Sequence, residues 1–594
     1  MSSVTGARRE KGILTMDFDT ILTSLGDFGP YQRKLFLFNA AFLVTVPFIV
    51  FAQVFISDDV DFVCLAEIQN GSSPNATSFR ATQIVENRGG CDIFEKTLTR
   101  NWSTVYSSTD LLPGGADNST LSYSTNVEGR ICAKWGYDRS QHQSTTVTEW
   151  NLVCDRKWLR ELALSAVYAG MTVGSGICGT ISDRYGRLRA ISLALLIQSV
   201  FCFLSAASPH LAMFIFCQFI VGCTYPGILV ASFTYVIEWT GPSKRAIMGN
   251  MLALMFPVGH MIFALVAYLL RHWRLLQIVV GIPQLALLFV FVFRLIPESP
   301  RWLLSLGHVN EADIIIREAV RANQKTLPSS YFAYTRLSSF DDRPKNGKTY
   351  KPETSSKSRS NSHNFTDLFK TPKLRQTTLI ILCNWFSVVL PYFGLSVFST
   401  SLAGNRYVNF FLSGFVEVMA IFISSYTIDR WGRPRPIAVF CLIGGVFCIL
   451  SPFPKNGFQY LGTAFALIAK VGAAAAFWSG FVQVAELFPT VVGNSGVSVC
   501  ILASRVSSII MPFLRLLSDV WQPLPYVIMG SLTTSSGALV LLVPETKNRP
   551  VPATIEEFEM LHKTRRKAKG RGDIAVVSGK AGHTLCESVM SCDV

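Results

Sequence analysis

The chain has 594 residues, of which 49% are apolar, 12% aromatic and only 16% charged, a balance that suits a membrane protein better than a string of soluble domains. Its net charge of +15 is spread over short turns and a C-terminal run (Lys563, Arg565, Arg566, Lys567, Lys569, Arg571), which reads as a solvated segment near anionic lipid and not as a nucleic-acid surface. An enzyme or primary pump is disfavoured because the only approach to a phosphate loop, Gly347-Lys348-Thr349, lacks the earlier glycine, and no metal or cofactor is expected because Cys178, Cys202, Cys217, Cys223, Cys383, Cys441, Cys448 and Cys500 are scattered without ligand spacing.

In chain order, residues 1–34 are a polar N-terminus without the features of a cleaved signal peptide, so the first apolar run is expected to remain as a span. Counting about twenty uncharged residues per bilayer crossing, twelve spans are predicted: 35–57, 160–181, 189–207, 210–236, 246–270, 275–296, 375–397, 405–428, 435–455, 458–485, 495–516 and 522–543. Arg33 and Lys34 before the first span, Arg184, Arg187 and Arg189 in the second-to-third turn, Lys244 and Arg245, and Arg430 and Arg433 all fall on one side. The positive-inside bias makes that side, with both termini, cytoplasmic.

Residues 58–157 are then an extracellular loop. It holds four acceptor triplets, at Asn70, Asn75, Asn101 and Asn118, and four cysteines, Cys64, Cys91, Cys132 and Cys154. This clustering fits an oxidising, glycosylating compartment and two disulfides, with all three pairings open. Residues 297–374 form a cytoplasmic linker that begins with an amphipathic helix, Val309 to Arg321, and continues as a Ser, Lys, Arg and Asn mixture too polar to fold. Residues 544–594 are a cytoplasmic tail.

The spans occur in two copies. Gly179-Thr-Ile-Ser-Asp183-Arg184-Tyr-Gly186-Arg187 returns as Thr427-Ile-Asp429-Arg430-Trp-Gly432-Arg433, Glu238 returns as Glu486, and Pro297-Glu-Ser299 returns as Pro544-Glu-Thr546, each at about 247 residues. The unit is therefore a duplicated bundle, residues 35–296 and 375–543, as in secondary carriers built from parallel repeats. The class is an all-α membrane protein of two pseudo-symmetric six-helix halves.

The Gly-x-x-x-Asp-Arg-x-Gly-Arg turn resembles the signature of the major facilitator superfamily. Together with Thr148-Glu-Trp-Asn-Leu-Val-Cys154, Pro297-Glu-Ser-Pro-Arg-Trp-Leu303, Ala485-Glu-Leu-Phe-Pro-Thr490 and Pro544-Glu-Thr546, the chain is similar to the organic cation/anion/zwitterion transporters, solute carrier family 22, from Gly26 to Glu557. The resemblance implies transport of small organic ions by alternating access: organic cations or carnitine-like zwitterions first, organic anions second. A transporter-like sensor or scaffold without net flux is the reading from another class. The partners implied are a small organic ion and the bilayer, with a coupling ion left open.

The turn charges Asp183, Arg184, Arg187, Asp429, Arg430 and Arg433 are expected to latch the two bundles together through partly exposed ion pairs that can open each cycle. Glu238 with Arg245 would be a second pair in the first half. In the second half Gly493 stands where the family usually has arginine, so Glu486 is expected to lack its partner and the gate there to be looser.

Charges inside spans are costly and mark function. Arg505 lies eleven residues past Asn494, about 16 Å along its helix and close to the midplane of a core about 30 Å thick. Glu417 reaches similar depth, and Lys470 lies in the tenth span; a buried Glu417–Arg505 or Glu417–Lys470 pair that only orients helices is the competing reading. In the resemblance, arginine at position 505 points to zwitterion or anion substrates, since a guanidinium offers a planar fork to a carboxylate. Trp385, Phe386, Tyr392, Phe477, Trp478 and Phe481 are the aromatic candidates for a cationic end, and His260 is the candidate proton carrier.

Overall fold

A computed structural model describes residues 18–58, 60–69, 77–87, 90–94, 134–138, 143–293, 295–326, 365–454, 457–549 and 552–560. The first half contains α1 (Pro30–Ile56), α2 (Lys157–Tyr185), α3 (Arg187–Ala206), α4 (Leu211–Trp239), α5 (Arg245–Leu269) and α6 (Trp273–Val292). The second contains α7 (Pro372–Val397), α8 (Arg406–Trp431), α9 (Pro434–Leu450), α10 (Gln459–Leu487), α11 (Gly493–Leu514) and α12 (Leu524–Val540). Ten of these are long and apolar enough to cross a bilayer. The apolar helices α9 and α12 have 17 residues each, about 26 Å of rise.

Proline sets several boundaries. Pro30, Pro372 and Pro434 start α1, α7 and α9, where a missing N–H costs nothing. The ninth span stops at Leu450, short of the predicted 455, because Pro452 and Pro454 cannot continue it. The fifth is not continuous: it breaks at Leu254 between Arg245–Ala253 and Met255–Leu269. Pro257 supplies no donor to the carbonyl four residues earlier, Ala253, so the ladder lapses there.

Each half buries its small-residue faces internally, with α2 against α4, α3 against α4 and α6, and α9 against α10 and α12. The halves meet along two related seams, α2 against α11 and α5 against α8. The first and last described segments, Phe18–Ser24 and residues 552–560, lie with the helix Val309–Ala322 on one side of the bundle, called here the terminal side. That helix agrees with the amphipathic segment read from the sequence. Asn323, just past it, accepts from the Tyr31 amide at 2.9 Å and donates to Gln32 Oε1 at 2.7 Å, tying the segment to α1.

The opposite, sheet side carries structure that the all-helical reading did not anticipate. Strands β1 (Phe62–Gln69), β2 (Thr77–Asn87), β3 (Gly90–Phe94) and β4 (Lys134–Tyr137) form an antiparallel sheet in the order β3-β2-β1-β4. Glu149 docks the segment after it onto α6, accepting from Trp273 Nε1 at 2.7 Å and pairing with Arg274. Trp150 packs against Trp273 and Phe214 beside it. Cys154 is disulfide-bonded. Cys132, the side chains of Cys64 and Cys91, and the sequons Asn70, Asn75, Asn101 and Asn118 lie outside what is described.

Candidate functional site

On the terminal side the two repeats build the same cage. Gly186 ends α2 with φ +110 and Gly432 ends α8 with φ +88, conformations that suit glycine. Any side chain there would also enter the carboxylate of Glu298 or Glu545, respectively. Glu298 accepts from the Arg187 and Leu188 amides, both at 3.1 Å, and Glu545 from the Arg433 amide at 2.9 Å. Burial pushes the Glu298 carboxyl above the usual range, opposed by those amides. Arg187 then reaches Glu238 at 3.0 Å, and Arg433 grips Glu486 at 2.6 and 2.8 Å.

Three expectations are corrected by this arrangement. Glu238 pairs with Arg187 and not with Arg245, which instead pairs with Asp19. The reason is Pro242: α4 ends at Trp239, so Arg245 starts a new helix and faces away from Glu238. Glu486 does not lack a partner, since Arg433 and the Thr546 hydroxyl, the latter at 2.8 Å, both hold it despite Gly493. Finally, the turn charges do not join the bundles in this conformation. Asp183 bonds Arg187 of its own half at 2.8 Å, Arg184 lies over Tyr185, Arg430 bonds Tyr426, and Asp429 is exposed.

The bonds that do cross between halves, among the described residues, cluster on the sheet side. Asp58 at the end of α1 pairs with Arg406 at the start of α8 and accepts from Thr400. Lys157 pairs with Asp519 at 3.6 Å, and Ser165 of α2 donates to the Ile509 carbonyl of α11 at 2.8 Å. Lower on α2, no atom stands within 4 Å of where a side chain at Gly176 or Gly179 would begin. Among the described residues, the bonds that join the halves hold the sheet side, and α2 has open space beside Gly176 and Gly179 farther toward the terminal side.

Between these ends lies the mid-depth cluster. Pro391 within α7 leaves the Ser387 carbonyl without its helical donor, and Thr533 of α12 takes it at 2.9 Å. One residue on, Tyr392 donates its hydroxyl to Glu417 of α8. Lys470 of α10 lies 3.3 Å from Glu417, donates to the Tyr392 carbonyl at 2.7 Å, and stands 4.0 Å from the centre of that ring. Glu417 and Lys470 are fully buried. They neutralise each other, which settles the choice between candidate pairs in favour of Lys470.

Arg505 is thereby left over. Half-buried on α11, it reaches across to the first half, with Nη1 3.7 Å from Met171 Sδ and its guanidinium carbon 5.6 Å from the Tyr225 ring centre. No described carboxylate pairs with it, and its Nε has no hydrogen-bond partner. The aromatic candidates do converge: Phe477 stacks on Tyr392 at 4.4 Å, Trp385 meets Phe477 at 5.9 Å and Phe481 at 4.7 Å, and Trp478 flanks Phe477 at 5.7 Å. His260 is wedged between the rings of Phe51 and Phe410 and packs as a ring, with no side-chain partner that would make it part of a relay among the described residues.

Sequence reasoning missed the first half's contribution, Tyr168, Met171 and Tyr225, because uncharged residues in a span carry no alarm. It also missed Asp58 and Arg406, which sit just where spans end and so read as ordinary flanking charges.

Residues 120–558 match the sugar (and other) transporter family. The chain is 32% identical over 92% of its length to the "Organic cation transporter protein" of Drosophila melanogaster, covering 95% of it. It is also 32% identical to the "Organic cation/carnitine transporter 2" of Homo sapiens, over 91% of this chain and 94% of that one. "Solute carrier family 22 member 2" of Rattus norvegicus is 36% identical over 72% of this chain and 74% of its own. The chain belongs to solute carrier family 22.

As a solute carrier of the major facilitator superfamily it is a transporter and not an enzyme. Its fold agrees with that of the xylose transporter XylE from E. coli in an inward-open conformation, at a TM-score of 0.52, 16% identity, 68% of this chain and 89% of that one. Two six-helix halves that meet along two seams are the architecture from which a carrier in this family works by alternating access.

Proposed function

We propose that this carrier moves small organic ions bearing a carboxylate, carnitine-like zwitterions first, across the plasma membrane, with the terminal side cytoplasmic and the sheet side extracellular. The observation that carries the substrate class is Arg505, a cation at mid-depth with no carboxylate partner among the described residues, while Glu417 is paired with Lys470. The guanidinium takes the substrate carboxylate in a forked pair. The quaternary or amine end faces the rings of Phe477, Trp385 and Trp478, the Tyr392 ring being taken by Lys470 and Phe477. The relative named for carnitine supports this reading, the one named for organic cations supports the cationic end alone, and organic anions are second because Arg505 serves them equally.

The side assignment rests on the basic turns and on the sequons and cysteines of the sheet-side loop. Glycosidase treatment of surface-labelled protein should lower its apparent mass, and unchanged mobility would sink the sidedness. The turn charges serve as the mechanical element, exchanging pairs within each half for pairs between halves when the terminal side closes.

Uptake of a labelled substrate, competed with carnitine, tetraethylammonium and p-aminohippurate, tests the class. Arg505→Lys keeps the charge and loses the fork, so carboxylate-bearing substrates should weaken by about 1.5–3 kcal/mol while tetraethylammonium changes little. Equal impairment of all three in normally delivered protein would overturn the assignment. Ligand binding without accumulation would instead indicate a sensor.

A further inference from the structure

The second buried orphan at mid-depth belongs to the first half. Tyr168 is completely buried, yet its hydroxyl has no hydrogen-bond partner among the described residues. A phenol in such a place normally finds one, because an unpaired buried hydroxyl forfeits its hydration for nothing. Its surroundings identify the missing partner. Met171, three residues along α2 and so on the same helical stripe, is the residue that Arg505 touches at 3.7 Å. Arg505 and Tyr225 are electrostatic neighbours of the Tyr168 hydroxyl. Across the gap the Tyr168 ring packs on Phe393 of α7, with centres 5.5 Å apart, next to the Tyr392 that serves Glu417.

Two unsatisfied donors, Tyr168 Oη and Arg505 Nε, thus face one region from opposite halves. We propose that Tyr168 is a specificity-determining residue, donating its hydroxyl to the same substrate carboxylate that Arg505 binds, so that the anionic end is held by both halves at once; this rests on the carboxylate reading of Arg505. The arrangement has a mechanical consequence. A ligand shifts an equilibrium only by its differential affinity for the two states, and an anion shared between α2 and α11 binds best when the halves stand together around it. A purely cationic substrate has no group for the Tyr168 hydroxyl and gains nothing from it.

The test is Tyr168→Phe, which keeps the ring on Phe393 and removes only the donor. Half-saturation for carnitine uptake should rise roughly tenfold, the scale of one hydrogen bond to a charged group, while that for tetraethylammonium stays unchanged. In an Arg505→Lys background the additional loss from Tyr168→Phe should be smaller than in the parent, because the two groups share one ligand atom set. If Arg505→Lys selectively weakens carnitine but Tyr168→Phe does not, the proposal falls and the substrate class survives. If Arg505→Lys weakens every substrate alike, the substrate class itself fails. If Tyr168→Phe weakens carnitine and tetraethylammonium equally at normal surface level, the hydroxyl serves the protein and not the substrate, and the proposal is overturned.

Discussion

The two repeats of this carrier are nearly superimposable in their logic at the terminal side and unlike each other at mid-depth. Both place a glycine with positive φ, a glutamate accepting backbone amides and an arginine–glutamate pair at the same turn: Gly186, Glu298 and Arg187–Glu238 in one half, Gly432, Glu545 and Arg433–Glu486 in the other. At mid-depth the second half carries Glu417, Lys470 and Arg505, and the first offers only uncharged groups such as Tyr168 and Tyr225. The turn works in pairs and so has to remain matched in both halves, whereas a substrate with two different ends needs two different walls. On the reading proposed above, the matched turns are the mechanical element and the second half holds the charged end of the substrate.

The buried pair gives the largest effect that could break this contrast. Lys470→Met or Glu417→Gln alone leaves one buried polar group without its counterpart and should destabilise the protein by about 3–5 kcal/mol, while the double variant recovers most of it. Thermal unfolding in detergent reads this directly, and unaltered melting of the single variants would show that the second half is not organised around the pair.

Matched cages predict matched costs. Arg187→Gln and Arg433→Gln should each slow turnover with substrate affinity retained, through losses of about 1–3 kcal/mol for charge-assisted bonds. Transport kinetics of the two variants side by side would expose any asymmetry; an effect confined to Arg187 would restore the idea of a looser second half.

The sheet-side closure gives a smaller shift. Asp58→Asn weakens the Arg406 contact between halves and should favour the state parted at the sheet side several-fold, about 1 kcal/mol. Labelling of a cysteine introduced near Ser165 by a membrane-impermeant reagent follows that population, and unchanged labelling would place the closure elsewhere.

The smallest effect concerns the Asp19–Arg245 pair, which has no counterpart in the second half among the described residues. The hydrogen bond from Arg245 holds the Asp19 carboxyl below its usual 3.8. Its stabilisation of the helix Phe18–Ser24 is therefore complete above that value and is lost as pH falls through the lower folded pKa. Hydrogen exchange in residues 18–24 should rise over that acid window, and Arg245→Gln should reduce the pH dependence to what Arg301, 3.6 Å from Asp19, sustains.

Spans, duplication and family were legible in the sequence, because each helix satisfies its own backbone bonds and declares itself by an uninterrupted apolar run. The glycines and glutamates of the turns were legible for the same local reason, as repeated short strings. The partners of the charges were not. Glu486 meets Arg433 only because α10 passes the α8–α9 turn, Arg245 faces Asp19 only because Pro242 turns the chain after α4, and Glu417 chooses Lys470 over Arg505 only because α7, α8 and α10 converge on Tyr392. The β-sheet escaped notice because cysteines and sequons dominate that loop, while its strand pairing emerges only when distant segments meet. Apolar runs are local and survive in one dimension. An ion pair depends on distance and direction in three, and in a carrier it depends also on which end of the bundle is closed.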